Sequence, residues 1–267
     1  MKLSEFYQIA NKFAPKALSD EYCERYGAYD NSGVLVDTGD EIEKALFSLD
    51  LTKAAIQKAK EIGANLIVTH HPAIYGKIGA ILSEELLGEK LLSCIKKGIS
   101  VLSMHLNLDG AAGGIDESLA QGVQKAAGRS DEKVGVKIMH PLSCGGYGRV
   151  YKIEKCTAGE LAKRLEKEFS TERVLVYGAE REVEKAASFC GAGGDEEGLR
   201  FAKSQGADVM ISADFKHHVI AAAIEEGLSV IVLTHYASEN YGFKKYYEKI
   251  CRQAGIPCVY HEDEILL

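Results

Sequence analysis

The chain has 267 residues, 46% of them apolar and 27% charged, which excludes a disordered or fibrous protein and leaves one large α/β domain or two smaller ones. Its 39 acidic against 32 basic residues give a formal charge of −7, which argues against nucleic-acid binding driven by overall charge. No run of about 18 apolar residues is present and residues 1–18 carry no signal-peptide core, so a cytoplasmic protein with no membrane partner is expected.

The seven cysteines (Cys23, Cys94, Cys144, Cys156, Cys190, Cys251 and Cys258) are scattered, odd in number and form no C-x-x-C. That fits a reducing compartment better than a disulfide framework or a zinc ribbon.

In chain order, residues 45–49 read as a short buried strand. Thr52 then caps a helix with apolar positions Ala55, Ile56, Ala59 and Ile62, and Gly63 closes it. Residues 65–69 form a second strand running into His70-His71-Pro72. Pro72 cannot donate to a ladder, so the strand stops at the histidines. A helix over 83–97 ends at Gly98, and a strand over 99–103 delivers Met104 to Asp109.

The second half repeats this grammar. A strand is predicted over 148–153, and Thr157 with Glu160 forms a capping box for a helix reaching about Phe169. Strands over 174–177 and 186–190 follow, and the second leads into the glycine loop 191–194. A helix over 195–204, a strand over 209–212 before Asp214 and a helix over 217–226 come next. A strand over 229–233 ends at Thr234-His235, and Ser238 is expected to cap a last helix reaching about Ala254. Strands alternating with helices predict an α/β fold with mainly parallel sheets.

Two matched sets of segments point to an internal duplication. Glu43-Lys44-Ala45 and Gly63-Ala64-Asn65 parallel Glu184-Lys185-Ala186 and Gly206-Ala207-Asp208. Gly98 to Val101 leads to His105, with Asp109 four residues on. Gly227 to Val230 leads to His235, with Glu239 four residues on. The expected division is 1–128 and 129–267, with the polar stretch 128–133 as the softest boundary.

Ligands of open parallel sheets bind beyond the carboxyl ends of the strands. Four features fall at such ends: His70-His71, His105 with Asp109, Asp214 with His217-His218, and His235 with Glu239. Only His140 and His261 of the eight histidines lie outside this set. Singly, each has a plain reading. A His-His pair can cap a strand, His-x-x-x-Glu can be an i,i+4 contact, and His217-His218 beside Lys216 can be a helix surface. The glycine loop lacks the residues of a phosphate-binding P-loop and reads as a tight turn. Together, imidazoles and carboxylates at several strand ends point to a divalent metal, and this many donors suits two ions.

The segments Tyr29-Asp30-Asn31-Ser32-Gly33-Val34, Val68-Thr69-His70-His71-Pro72, His105-Leu106-Asn107-Leu108-Asp109, Asp214-Phe215-Lys216-His217-His218 and Thr234-His235-Tyr236-Ala237-Ser238-Glu239 follow the order of one family. Over nearly its whole length the chain resembles the GTP cyclohydrolase I type 2 homologues, or Nif-three-like dinuclear metal-centre proteins. The resemblance implies that His70, His71, Asp109, His235 and Glu239 hold two divalent ions (zinc, iron or manganese), with His105 a further ligand or a neighbour of the ligands. It also implies two related α/β halves assembled as a toroidal homohexamer. A metal-dependent hydrolase of a nucleotide or other small molecule is the expected activity, and a non-enzymatic metal-binding or interaction ring is the alternative. His105, His217 or His218 would move protons and Lys216 would meet a phosphate. The chain departs from the family in Val34-Leu35-Val36-Asp37, where many members read Leu-x-Val-Gly, and in Leu106, where threonine is common. The short stretch between Asp109 and Thr157 leaves little room for the domain that some members carry inserted mid-chain.

Overall fold

The computed structural model describes residues 1–129, 136–263 and 265–266. The chain divides into two compact units, Met1–Ala111 with Phe243–Asp263, and Ala112–Gly242 with the last residues. The stretch 128–133 predicted as the softest boundary lies, from residue 130 on, outside the described residues.

The first unit opens with helices α1 (Leu3–Phe13) and α2 (Lys16–Tyr26), followed by strand β1 (Gly33–Val36). Then come β2 (Ala45–Ser48), α3 (Lys53–Ile62), β3 (Leu66–Thr69), α4 (Leu86–Lys96), β4 (Ser100–Ser103) and the short α5 (Leu106–Gly110). Thr52 caps α3 by accepting from Ala55 N at 3.0 Å, and Gly63 ends it at φ +68°, as the local sequence dictates. Helix α4 starts at Leu86 rather than at residue 83, after a turn in which Glu85 N donates to Leu82 O at 3.2 Å and the Leu82 backbone lies against Gly88.

The second unit contains α6 (Ile115–Ala126), β5 (Lys137–Pro141), β6 (Gly146–Thr157), α7 (Ala158–Glu168), β7 (Leu175–Tyr177) and β8 (Glu182–Ser188). It continues with α8 (Glu196–Ser204), β9 (Val209–Ser212), α9 (His217–Glu225) and β10 (Ser229–Val232). The Thr157–Glu160 capping box is formed. Helix α10 (His235–Cys251) begins in this unit and ends in the first, where β11 (Cys258–Tyr260) pairs with β2. Its cap is Thr234, whose Oγ1 accepts from Ala237 N at 3.0 Å; Ser238, the expected cap, lies inside the helix.

The first sheet has the order β1-β4-β3-β2-β11, parallel except for β1 against β4. The second has the order β5-β6-β8-β9-β10-β7. It is mixed: β8, β9 and β10 run parallel, while β5 with β6, β6 with β8 and β10 with β7 pair antiparallel. In the first unit Leu46, Ile67 and Val101 meet Ala55, Ile56 and Ala59 of α3 and Leu91 and Cys94 of α4 in one apolar cluster. In the second, Val150, Ala187, Met210 and Val230 pack with Ala202 and Ala223.

Both units therefore contain the same four-strand order. Strands β2-β3-β4 with β1 antiparallel beside β4 correspond to β8-β9-β10 with β7 antiparallel beside β10. The rungs Ala45–Leu66–Ser100 and Ala186–Val209–Ser229 fix the correspondence. Counted from those rungs, His105 matches Thr234 and Asp109 matches Ser238. The His235/Glu239 pair thus sits one residue later than the His105/Asp109 pair.

Candidate metal centre

Strand β3 is buried along its length and ends at Thr69, three residues before Pro72, which places its two histidines at the carboxyl edge of the first sheet. The backbone N–H groups of His70 and His71 both donate to Leu49 O at 3.1 Å. Thr69 Oγ1 donates to His71 O at 2.8 Å and meets Ser103 Oγ at 2.7 Å, which ties this turn to β4.

Each ring is held through one nitrogen. His70 is fully buried and its Nδ1 lies 2.8 Å from Met104 O. A carbonyl only accepts, so Nδ1 carries a proton and Nε2 is the nitrogen left to face a ligand. His71 Nδ1 donates to Asp50 Oδ1 at 2.8 Å, and His105 Nδ1 to Asp30 Oδ1 at 2.8 Å. One ligand atom from each of His70, His71 and His105 lies within 4.8 Å of the other two. Helix α5 adds Asp109, nearly buried, whose Oδ1 stands 3.4 Å from His70 Nε2.

Asp30 anchors this arrangement. Burial pushes its carboxyl up, but hydrogen bonds from His105, Ser19 and Ser32 outweigh that and hold it well below the usual carboxylate range. For His105, burial pulls the pKa down, yet the hydrogen bond to Asp30 and the charge of Asp109 leave it raised. Ser32 Oγ donates to Asp30 and accepts from His105 N at 2.9 Å, so both backbone and ring of His105 are fixed.

In the second unit, His235 Nδ1 donates to Asp214 Oδ2 at 2.5 Å, and its Nε2 lies 3.2 Å from Glu239 Oε2, one helical turn on. Glu239 is only 3% exposed. Gly191 forms the floor below it. A Cβ there would stand 2.3 Å from Glu239 Oε1 and 3.2 Å from His235 Nε2, and φ is +57°. The tight glycine turn read from the sequence therefore also makes room for the carboxylate. Ser238 joins the two, accepting from Gly191 N at 3.1 Å and donating to His235 O at 2.8 Å.

His217, His218 and Lys216 are exposed at the start of α9. His218 Nε2 meets Glu196 Oε1 at 2.6 Å, and none of the three joins a cluster of metal-competent donors among the described residues. Asp214 turns to His235 rather than to the histidines that follow it in sequence. His140, outside the expected set, meets Glu197 Oε1 at 2.9 Å. Asp30 and Asp50 escaped the sequence-based site. Asp30 lies in the segment Tyr29 to Val34, and the one signal for Asp50 is a carboxylate two residues beyond a strand.

These donors, imidazole nitrogens and carboxylate oxygens held by outer hydrogen bonds, can hold a metal ion. Residues 1–262 match the Duf34/NIF3 (NGG1p interacting factor 3) family. The chain belongs to that family.

Among DUF34/NIF3 relatives, a Clostridium perfringens protein named GTP cyclohydrolase 1 type 2 homolog is 34% identical over 90% of this chain and 87% of its own. A Methanocaldococcus jannaschii protein of the same name is 30% identical over 93% and 94%. A Schizosaccharomyces pombe protein NIF3 homolog is 28% identical over 80% and 78%. Of the solved structures, reduced HcgD from Methanocaldococcus jannaschii aligns with a TM-score of 0.79 at 26% identity, covering 97% of each chain. A Bacillus cereus protein related to NIF3 aligns at 0.77 and 20% identity over 97% and 96%, which supports the fold. No helix among the described residues is long and apolar enough to cross a membrane.

Proposed function

We propose that this DUF34/NIF3 protein is a metal-dependent hydrolase in which His70, His71, Asp109, His235 and Glu239 hold two divalent ions, with His105 as a further donor. The observation that carries this reading is the trio His70, His71 and His105, whose rings are each tied through Nδ1 and so offer Nε2. The five-residue set follows the family resemblance, and the His235/Glu239 pair supplies the same donor chemistry from the second unit.

When bound, divalent ions supply Lewis acidity, the property that makes water a usable nucleophile at neutral pH. The chain's own groups do the rest. His70 is sealed from solvent and fixed in one tautomer. His105 Nε2 is the atom through which that ring acts, because Asp30 occupies its Nδ1. Glu239, nearly buried, brings a negatively charged oxygen donor to offset the cations. A nucleotide-like small molecule is the proposed substrate class, with the chain assembled as a ring-shaped homohexamer.

The test is incubation of the metal-loaded protein with a panel of nucleotides, beside His70→Ala. Turnover of at least one nucleotide, abolished in the variant, is expected. Full metal loading with no turnover on any nucleotide would favour the non-enzymatic alternative, and analytical ultracentrifugation of the same sample tests the hexamer.

A further inference from the structure

We infer that Asp30, Asp50 and Asp214 are positioning residues for this metal centre, each locking one histidine so that Nε2 alone faces an ion. The inference rests on the metal-binding reading above.

Three carboxylates make the same contact with three histidines: Asp30 to His105, Asp50 to His71 and Asp214 to His235, always at Nδ1 and at 2.8, 2.8 and 2.5 Å. The internal repeat does not account for this agreement. Counted from the matched rungs, Asp214 stands where the first half has His71, and Gly191 stands where it has Asp50. The same carboxylate–imidazole contact was therefore reached from positions that do not correspond. A requirement of the chemistry explains that better than inheritance of one local structure.

The cost of these contacts points the same way. Asp214 is held at φ +49°, a conformation that a side chain with a Cβ adopts only at a penalty and that glycine adopts freely. Asp30 has a fully buried side chain, and two serine hydroxyls donate to it in addition to His105. A buried carboxylate is tolerated only when supplied with donors in this way. His70 is tied instead to a neutral acceptor, Met104 O. A carboxylate on the far nitrogen fixes the tautomer and strengthens the near nitrogen as a donor, so the three tethered rings should bind metal more strongly than a carbonyl-tied ring.

The test is cobalt(II) and zinc(II) affinity, read by chelator competition on the full chain, for the wild type and for Asp30→Asn, Asp50→Asn, Asp214→Asn and Asp214→Gly. The second readout is the tautomer of His71, His105 and His235 by nitrogen-15 NMR in metal-free protein. Affinity is expected to fall about 10–100-fold in Asp214→Gly. The asparagine variants, which keep an acceptor but lose the charge, should fall less. The Nδ1–H of His235 that is hydrogen-bonded to Asp214 should lose that bond in Asp214→Gly, while Glu239 stays at Nε2.

If Asp214 served the backbone alone, glycine would keep wild-type affinity and the wild-type tautomer, since it takes φ +49° without strain. That result, repeated for the Asp50 variant, would overturn the inference while leaving the metal centre standing. A wild type that binds neither ion would overturn the metal reading, and this inference with it. Asp50 and Asp214 are partly exposed, so their variants remain informative even if Asp30→Asn fails to fold.

Discussion

Asn65 and Asp208 do the same work in the two halves of the chain. Asn65 Oδ1 accepts from the N–H groups of Glu43 and Lys44 at 2.9 and 3.4 Å, and Asp208 Oδ2 from those of Glu184 and Lys185 at 2.9 and 2.8 Å. Each side chain thereby fixes the entry of the neighbouring strand. The lysines agree as well: Lys44 Nζ donates to Ile62 O, and Lys185 Nζ to Gln205 O. Because the contacts need an acceptor and no charge, Asp208→Asn should unfold within a few tenths of a kcal/mol of the wild type, whereas Asp208→Ala should lose about 1 kcal/mol. Equilibrium urea unfolding decides it, and an equal loss in both variants would show that charge matters.

Gly191 is the residue whose replacement should damage the second-unit donors most directly. In Gly191→Ala the added carbon meets both Glu239 and an unfavourable φ, so about 1–3 kcal/mol of stability should be lost. Thermal unfolding and elemental analysis of the variant check this, with metal content expected to fall as well. A variant with wild-type stability and metal content would show that Glu239 moves aside freely.

Acid stability of the metal-free protein should depend on Asp30. Its folded pKa is depressed, so its carboxylate contributes stability that is complete above the unfolded value of about 4 and is lost as the pH falls through the folded value. Asp30→Asn has no such group to protonate. It should be the less stable protein at neutral pH, with a gap that narrows as the pH falls below about 4. Chemical denaturation at several acidic pH values measures the gap, and a constant gap would refute the assignment.

The seven thiols should all titrate as free after denaturation. In the native protein they should differ. Cys144 is exposed, while burial pushes Cys94 up to about 11 and Cys258 up to about 12, which leaves little thiolate in either at neutral pH. Iodoacetamide labelling followed by mass spectrometry should modify Cys144 first and Cys94 last, and the reverse order would count against this packing.

Much of the fold is legible where the signal is local. Thr52, Gly63 and the Thr157–Glu160 box mark helix ends through contacts within a few residues. The runs that became β2, β3, β9 and β10 are apolar enough to be read as buried strands. Strand β11 escaped because three residues carry no pattern of their own, and its place beside β2 depends on a partner far away in sequence. Helix α10 begins before Ser238: Ser238 looks like a cap by residue type, while Thr234 makes the contact. His70, His71 and His105 could be read as neighbours from their strand ends. The carboxylate behind His105 could not, since Asp30 reaches it across 75 positions.

The offset of one residue between His105/Asp109 and His235/Glu239 bears on how such a protein arose. One step along a helix turns a side chain by about 100°, so the two pairs do not point from equivalent places on their own halves. A founding half-length protein, doubled by gene fusion, would have carried its donors at the same positions in both copies. Either the pairs were settled separately after the fusion, or the connection from strand to helix changed by one residue in one copy. Reconstructing that founder by linking two first halves would place a second Asp109 where Ser238 now bridges Gly191 and His235, and the pairing seen today would be missing.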